Sequence, residues 1–437
     1  MGVHRRTAVL TLTLWAAAVG LYPGALPATR SPVAAETVAH ATTTNSPLRL
    51  PRVGLVGAAV PAALIGRSVV APASALGVAR PPRTPTAVEA VTPPVEQPPE
   101  PVARQREVTV AVTGDLLPHQ PVLSAARRGD SYDFVALLRG IRGPISRADL
   151  ALCHLGVPLA RGHEGLSTYP VFNGPPELAT ALAAVGYDGC SVASNHAFDQ
   201  GEAGVRSTLD VLDHAGLGHA GTARTRREAR RIQRYVVDGV HIAHLSYTYG
   251  LNGFTLPSGR AWLVDLIDAR RILRDARQAR REQADLVLVS LHWGTEYVAK
   301  PTSDQVRLAR RLLASPHIDA LIGHHAHVVQ PVDRVAGKVV VYGLGNLLSN
   351  QSAACCAAAT QDGVIVELTL RGTDGGPFTV TRVRYRPTMV RFPQRKVALV
   401  EPLLDRTADT ELRRQLRASL RRTRAIIGDV AEPATGS

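Results

Sequence analysis

The sequence predicts a layered α/β domain, and three observations lead to this prediction. From about residue 107 onward, short apolar runs rich in Val, Ile and Leu recur with the length of buried strands. Between them, longer stretches carry apolar residues on one helical face. Polar residues follow several of the strands at the point where each ends. Strands and helices that alternate in this way form layered α/β folds.

Length and composition indicate a globular protein with disordered ends. The chain has 437 residues, so we expect one large core or two unequal parts. Its formal net charge is +14, mostly from Arg, which favours anionic polymers, acidic wall material or anionic membranes as partners. Only 4% of the residues are aromatic, and no nucleic-acid-binding motif organises the basic ones. Nucleic acid is therefore not an expected partner.

Residues 1–35 have the features of a signal peptide or membrane anchor. The tripeptide HRR at positions 4–6 precedes an apolar run of about 15 residues, which small and helix-breaking residues follow. The run is shorter than the roughly 20 residues of a spanning helix, which favours a cleaved signal over an uncleaved anchor. No Cys lies directly after this run, which argues against a lipoprotein anchor at this site. We therefore expect an exported protein that is secreted, membrane-associated or held at the cell surface.

Residues 36–106 are predicted to be a disordered Pro/Ala-rich linker, because prolines at this density favour extended, polyproline-like chain. A second apolar patch at 53–66 contains Pro61 and is too short to span a membrane, so weak membrane association is the alternative left for it. We expect the folded domain at residues 107–395 and a basic C-terminal helical tail at residues 396–437.

The first half of this domain alternates between strand and helix. The strand VTVAVTGD ends at Gly114 and Asp115. The segment PELATALAAVGYD is a helix that ends at Gly186, and the strand GCSVAS then leads to Asn195. The segment EAGVRSTLDVLDHAG is a second helix, which ends at Gly216.

The second half continues the same pattern. The segment YVVDGVHIAHLSY reads as two strands joined at Asp238 and Gly239, a hairpin signal. A basic helix at about 265–283, the strand DLVLVSLHWG, a helix at about 302–314 and the strand IDALIGHH follow. Three further strand segments close the domain: GKVVVYGLGN, DGVIVELTLRG and FTVTRVRYRP.

The polar residues at the strand ends predict a metal site. They are Asp115, Asn195, His196, His292, His324, His325 and His327. Adjacent strands of one sheet would bring these ends together at one edge, where α/β proteins build their sites. Oxygen and imidazole donors are those that Mn, Fe or Zn sites use. Each residue alone has a simpler explanation as a turn, a cap or a locally bonded histidine, but four such strand ends in succession favour the metal site.

The order of the motifs resembles that of a known family. The segments TGD, ASNHAFDQG, SLHWGTEY, GHHAHVVQP and VYGLGNLLS occur in the sequence and spacing of CapA-type poly-γ-glutamate capsule biosynthesis proteins, a branch of the calcineurin-like metallophosphoesterase superfamily. The resemblance covers about residues 108–386. It implies a four-layer αββα sandwich of metallophosphoesterase type, with one or two divalent metal ions at the strand ends.

The resemblance also implies roles for individual residues. The implied metal ligands are Asp115, Asn195, His292, His325 and His327. Among the three histidines of GHHAH, alternation along a strand would place His325 and His327 on one side. His196 is the implied catalytic acid or substrate-orienting imidazole, and Asp199 either orients it or caps the next helix. Glu296 is either a further site residue or a solvated carboxylate, and Tyr342 and Asn346 either shape the site wall or pack.

One motif departs from the family pattern. The family has Asn-x-Glu at the second strand end, whereas the segment here is DLALCHLGVPL, with His154 and Gly156 at those positions. Losing the carboxylate should weaken a two-metal site more than a one-metal site, because each cation needs charge compensation. His154 is a candidate substitute, although an imidazole bridges two metals poorly.

Two function classes follow from these observations. The first is an exported CapA-like protein of capsule or cell-envelope polymer biosynthesis, with phosphoesterase-like, metal-dependent hydrolase chemistry. The alternative is a non-catalytic polymer-binding or assembly factor that retains the fold. The expected partners are poly-γ-glutamate or another anionic envelope polymer and a membrane-bound polymer synthase. The basic helices are either solvated faces or a track for such a polymer.

Four cysteines are present: Cys153, Cys190, Cys355 and Cys356. An exported chain permits disulfides, but the sequence leaves the pairing open. Cys153 and Cys190 fall in or beside strands and could equally be small buried residues. Cys355 and Cys356 are neighbours, and we expect them to bridge to different partners rather than to each other.

Overall fold

The computed structural model describes residues 104–373 and 376–434. The predicted signal peptide and nearly all of the predicted linker lie outside the described residues. Among the helices in the described ranges, none combines the length and the apolar character that crossing a membrane requires.

The strands form two main sheets and one small hairpin. In chain order the strands are β1 Gln105–Leu116, β2 Arg127–Arg128, β3 Ser131–Tyr132, β4 Leu150–Leu155, β5 Gly189–Ser191, β6 Gly218–Ala220, β7 Gln233–Val237, β8 Val240–Thr248, β9 Leu286–His292, β10 Ala320–His324, β11 Val332–Val335, β12 Lys338–Val341, β13 Asn346–Leu348, β14 Asp362–Thr373, β15 Thr379–Arg391, β16 Lys396–Leu399 and β17 Glu432–Pro433. The first sheet has the order β16-β15-β14-β1-β4-β5-β6, and β13 and β17 pair with β1 and β15. The second has the order β11-β12-β10-β9-β8-β7, and β2 pairs with β3.

The helices lie mostly between consecutive strands, as the alternating pattern predicts. They are α1 Gln120–Ala126, α2 Val135–Leu138, α3 Arg142–Ser146, α4 Glu177–Val185, α5 Gly201–His214, α6 Ala269–Arg281, α7 Ser303–Leu313, α8 Val400–Arg406 and α9 Thr410–Ile427. Short 3₁₀ turns occupy Arg139–Ile141, Glu228–Arg230 and Ala358–Gln361.

The packing confirms the four-layer αββα arrangement. Val110 and Val112 of β1 share a buried cluster with Leu286 and Leu288 of the second sheet, so the two sheets face each other. Ala111, between the two valines, belongs instead to the cluster formed with the helices on the outer face of the first sheet. Side chains alternate in this way because successive residues of a strand point to opposite faces. Helices α6 and α7 cover the outer face of the second sheet through a third cluster.

Local sequence signals account for several element ends. Helix α4 ends at Gly186, whose φ of 112° lies in the left-handed region that favours glycine. The turn between β7 and β8 has positive φ at Asp238 and Gly239, as a two-residue hairpin of this kind requires, which confirms the predicted hairpin. Helix α7 begins with a capping box between Thr302 and Gln305.

Helix α6 begins later than the sequence predicts. The predicted start at about 265 was wrong because Asp265 donates its backbone N–H to Gly221 O, and its neighbours Val264 and Leu266 bridge to other segments. Asp268 is the N-cap instead, since its side chain accepts a hydrogen bond from Arg271 N.

The C-terminal residues pack on the first sheet. Strand β16 extends the sheet beside β15, and Leu416 of α9 is buried against Met389 and Val400. Arg422 of α9 donates to both carboxylate oxygens of the buried Asp362, at 2.7 and 2.9 Å. This paired contact fixes the helix to β14, because a buried carboxylate left alone would be costly.

A disulfide joins Cys153 and Cys190. The two residues occupy opposite positions on the adjacent strands β4 and β5, which places their side chains on the same face of the sheet. Cys355 and Cys356 are free thiols, so the expectation that they bridge to different partners was wrong. The pairing that the sequence left open is therefore the one between neighbouring strands.

Candidate metal centre

The predicted site residues meet where the ends of both sheets converge. Asp115 and His154 are partners near the ends of β1 and β4 in the first sheet, and Asn195 lies on the loop after β5. His292 and His324 end β9 and β10 in the second sheet. The expectation that adjacent strands of one sheet carry all these residues was wrong. Apolar runs show that strands are buried, but they do not show which sheet each strand joins.

One group of candidate ligands consists of Asp115, His154 and His292. Each offers an atom within 4.8 Å of those of the others, and all three residues are buried. His154 Nε2 lies 2.8 Å from His292 Nδ1, and His292 Nε2 lies 2.8 Å from Asn195 Oδ1. His154, which departs from the family motif, therefore lies inside the centre rather than beside it.

A second group consists of Glu296, His325 and His327, again with candidate ligand atoms within 4.8 Å of one another. His327 Nδ1 lies 3.0 Å from Asn346 Oδ1 and 3.1 Å from Asp115 Oδ2, and its Nε2 lies 3.8 Å from Glu296 Oε1. Asp115 thus connects the two groups. The structure brings Glu296 and Asn346 to the centre, whereas Tyr342 packs in the core against Trp293.

The argument from strand alternation does not apply to the GHHAH motif. Strand β10 ends at His324, and His325 and His327 have positive φ values of 86° and 56°, outside any strand. The structure still places both side chains at the centre. His324, which the alternation argument had excluded from the ligands, also lies at the centre. Its ring stacks on that of His154 at 4.0 Å, and its Nδ1 lies 3.5 Å from Asp115 Oδ1.

Several buried polar atoms of the centre have no hydrogen-bond partner among the described residues. They are Asp115 Oδ1, both ring nitrogens of His324 and Nδ1 of His325. An unsatisfied buried polar group costs roughly 1–3 kcal/mol, so four such atoms in one place need a common explanation. Imidazole nitrogens and a carboxylate form a donor set that suits Mn, Fe or Zn. The residues present therefore fit a divalent metal.

The electrostatics keep most of these imidazoles neutral. Burial lowers the pKa of His154 and His292 well below the usual value, and neighbouring histidines lower it further. Burial also lowers the pKa of His325 to about 4. Neutral imidazole is the form that coordinates a metal, so these three side chains are ready to bind near pH 7.

Asp115 and His327 form the charged part of the centre. Burial raises the pKa of Asp115, but the adjacent imidazoles of His324 and His327 outweigh it and hold the pKa well below its usual value. Burial lowers the pKa of His327, yet its hydrogen bond to Asp115 and the nearby carboxylates give a net increase. The carboxylate is thus ionised, as a metal ligand must be.

His196 and Asp199 form a pair beside the centre. His196 Nδ1 lies 2.8 Å from Asp199 Oδ2, and the same oxygen accepts a 2.7 Å hydrogen bond from Phe172 N. The N-cap of α5 is Gln200, so Asp199 is not the helix cap, which was the alternative role. The carboxylate fixes the imidazole orientation and leaves Nε2 for another contact.

Two loop residues that sequence reasoning missed complete the centre. Asn252 Oδ1 accepts a 3.0 Å hydrogen bond from Asn195 Nδ2, and Asn252 Nδ2 lies 3.2 Å from His196 Nδ1. Tyr249 is half exposed, and its ring lies 4.6 Å from that of His325. Both residues follow β8, whose neighbour β9 ends at His292. Their position directly after a buried strand was the signal in the sequence that could have identified them.

Comparison with known proteins shows which family the chain matches. The model for "Bacterial capsule synthesis protein PGA_cap" matches residues 109–351. The PGA biosynthesis protein CapA of Bacillus subtilis (strain 168) is 30% identical over 209 residues, which cover 47% of this chain and 53% of that protein. The capsule biosynthesis protein CapA of Bacillus anthracis is 28% identical over 200 residues, covering 45% and 47%. The matched region thus spans about half of each relative.

The calcineurin-like phosphoesterase YfkN from Bacillus subtilis aligns with a TM-score of 0.40 and 14% sequence identity, over 73% of this chain and 98% of that one.

Proposed function

The chain belongs to the bacterial capsule synthesis protein PGA_cap family, and from this premise we propose that it is an exported, metal-dependent hydrolase of capsule or cell-envelope polymer biosynthesis. The observation that carries the proposal is the buried centre around Asp115, where two groups of three candidate ligands meet. Relatives named for PGA and capsule biosynthesis support an acidic polymer of the poly-γ-glutamate type as the material on which it acts.

The metal would be held mainly by the residues predicted from the sequence as ligands: Asp115, Asn195, His292, His325 and His327. His154, His324 and Glu296 are additional candidates, because each lies within the two groups or directly against them. Two neighbouring groups, the first containing Asp115 and the second contacting Asp115 through His327, support one or two ions of Mn, Fe or Zn.

A divalent cation supplies Lewis acidity, which polarises a scissile phosphoryl or carbonyl group and lowers the pKa of a water molecule. The chain supplies the proton transfer. His196 presents Nε2 while Asp199 holds Nδ1, so the imidazole can donate a proton to a leaving group. Asn252 Oδ1 accepts a hydrogen bond from Asn195 Nδ2, and the amide of Asn252 lies against His196, so Asn252 touches both the proposed acid and a proposed ligand.

Gly156 is the place where the hydrolase proposal is tested most simply. We expect Gly156→Glu to raise kcat/KM for bis(p-nitrophenyl) phosphate by about tenfold or more, because it restores a carboxylate near the metal. A Cβ at this position would lie 3.3 Å from Leu117 Cδ2 and 3.4 Å from Leu116 O, so a small shift of Leu117 accommodates it.

Gly156→Ala is the matched control, since it introduces the same Cβ without the carboxylate. Higher activity in the Glu variant alone supports a hydrolase that lacks one acidic ligand. Equal activity in both variants and the parent contradicts the hydrolase proposal and favours a non-catalytic role.

The second candidate is a non-catalytic polymer-binding or assembly factor. The observation in its favour is Gly156 itself, which leaves the second strand end without a metal-bridging carboxylate. Its partners would be an anionic envelope polymer and a membrane-bound synthase. Binding of poly-γ-glutamate that weakens steeply with salt supports this role, and binding that is absent or insensitive to salt counts against it.

The Cys153–Cys190 disulfide supports export, since such bonds persist in oxidising compartments. Cell fractionation with antibodies against the folded domain tests this part of the proposal. We expect the protein in the envelope or culture-medium fractions, and protein confined to the cytosol contradicts export.

A further inference from the structure

Tyr249 lies at the open side of the candidate metal centre and takes no part in the proton transfer assigned to His196. The residue is 50% exposed, although its ring lies against two proposed ligands. The ring centroid is 4.6 Å from that of His325, and the ring is nearly parallel to that of His292, with centroids 6.3 Å apart. The side chain of Asn195 lies close to the hydroxyl. One exposed phenol thus faces three proposed ligands, which come from both sheets.

The backbone of the loop holds Tyr249 in this position. Tyr249 N donates a 3.0 Å hydrogen bond to His292 O. Asn252 and Gly253 have positive φ values of 49° and 86°, which Asn and Gly adopt more readily than other residues. This turn brings Asn252 back to the centre, where its Oδ1 accepts a 3.0 Å hydrogen bond from Asn195 Nδ2. The loop is therefore tied to the centre at both ends, and the phenol is fixed before any substrate binds.

The hydroxyl of Tyr249 is available to a bound molecule. Asn195 does not depend on it, because Asn195 Oδ1 lies 2.8 Å from His292 Nε2 and Asn195 Nδ2 donates to Asn252. A phenol keeps its proton near pH 7 and can donate it in a hydrogen bond. Packing against the imidazoles needs only the ring, so the hydroxyl calls for a separate explanation. Its place beside the proposed ligands is where the oxygen atoms of a bound scissile group would lie.

We propose that Tyr249 is a catalytic residue whose hydroxyl donates a hydrogen bond to the oxyanion that develops on the scissile phosphoryl or carbonyl group. This inference rests on the proposed hydrolase function. Tyr249 keeps its proton throughout, and the leaving group receives its proton from His196. A fixed donor aimed at developing charge stabilises the transition state more than the bound substrate, because it needs no reorganisation during the reaction.

Tyr249→Phe tests the proposal, because it removes the hydroxyl and keeps the ring. In the metal-reconstituted full-length protein, we expect kcat for bis(p-nitrophenyl) phosphate to fall about 10–100-fold while KM changes little. The metal content should equal that of the parent, since the hydroxyl is not among the proposed ligands. Tyr169→Phe is the matched control: Tyr169 is 70% exposed, and its variant should behave as the parent does.

A binding measurement makes the test independent of turnover. Orthovanadate imitates the transition state of phosphoryl transfer, whereas inorganic phosphate resembles the ground state. Isothermal titration calorimetry on the metal-loaded proteins should show that Tyr249→Phe weakens vanadate binding by about tenfold or more, and phosphate binding by less. Tyr169→Phe should bind both anions as the parent does.

The outcomes separate this inference from the proposed hydrolase. Unchanged kcat and unchanged vanadate affinity in metal-loaded Tyr249→Phe overturn the role of Tyr249 and leave the hydrolase standing. Loss of metal in this variant also overturns it, because the hydroxyl would then hold the metal centre together. A metal-loaded parent with neither turnover nor vanadate binding overturns both proposals. A parent without turnover whose vanadate binding still depends on the hydroxyl contradicts the hydrolase and supports the contact between the phenol and an oxyanion.

Discussion

Replacing Asp115 by asparagine is expected to reduce the affinity for Mn²⁺ or Zn²⁺ by more than about a hundredfold. Asp115 is buried, belongs to the first group of candidate ligands and lies 3.1 Å from His327 of the second. Asparagine keeps the size of the side chain but removes the negative charge that compensates a cation. Competition with a chromogenic chelator at pH 7 measures the change directly.

Asp304→Asn is the control for that experiment, because Asp304 is an exposed carboxylate on α7. It should bind metal as the parent does. Circular dichroism must show that the Asp115→Asn variant is folded, since Asp115 also accepts a hydrogen bond from His325 N. A folded Asp115→Asn variant with unchanged affinity contradicts the assignment of this residue as a ligand.

Replacing His196 by glutamine is expected to lower kcat by about 10²–10⁴-fold for a phosphodiester or γ-glutamyl substrate, the usual contribution of a positioned acid. KM and metal content should change little, because His196 lies beside the proposed ligands rather than among them. Asp199→Asn should have a smaller effect of about tenfold, because it removes only the group that orients the imidazole. Steady-state kinetics and metal analysis on the same preparations separate these effects.

His214→Gln provides the matched control, since His214 lies exposed at the end of α5. A loss of metal in His196→Gln places His196 among the ligands instead. Unchanged kcat in a metal-loaded His196→Gln variant contradicts its role as the acid.

The elements of the fold were largely predictable because their signals are local. The periodicity of α4 and the left-handed Gly186 that ends it are both visible in the sequence. The Asp238-Gly239 turn and the Thr302 cap depend on residues close together in the chain. The family motifs then supplied the layer arrangement, which periodicity alone does not determine.

The parts that escaped prediction depend on long-range contacts. No feature of the local sequence distinguishes strand β1 from strand β9, yet the two strands belong to different sheets. The candidate metal centre forms because the ends of these strands converge. The left-handed backbone at His325 and His327 follows from packing at the end of β10, where His325 N donates to Asp115. Asn252 lies on a loop, and its contact with Asn195 crosses between the sheets. The pairing of Cys153 with Cys190 likewise needed the order of β4 and β5.

The metal content of the purified full-length protein tests the central claim most directly. Elemental analysis should compare the parent, reconstituted with Mn, Fe or Zn, with the Asn195→Ala/His292→Ala double variant under the same treatment. The double variant removes one proposed ligand from each sheet. We predict about one to two equivalents of metal in the parent and a near-complete loss in a folded double variant. A parent that holds no metal after reconstitution, or a double variant that holds as much as the parent, contradicts the metal centre.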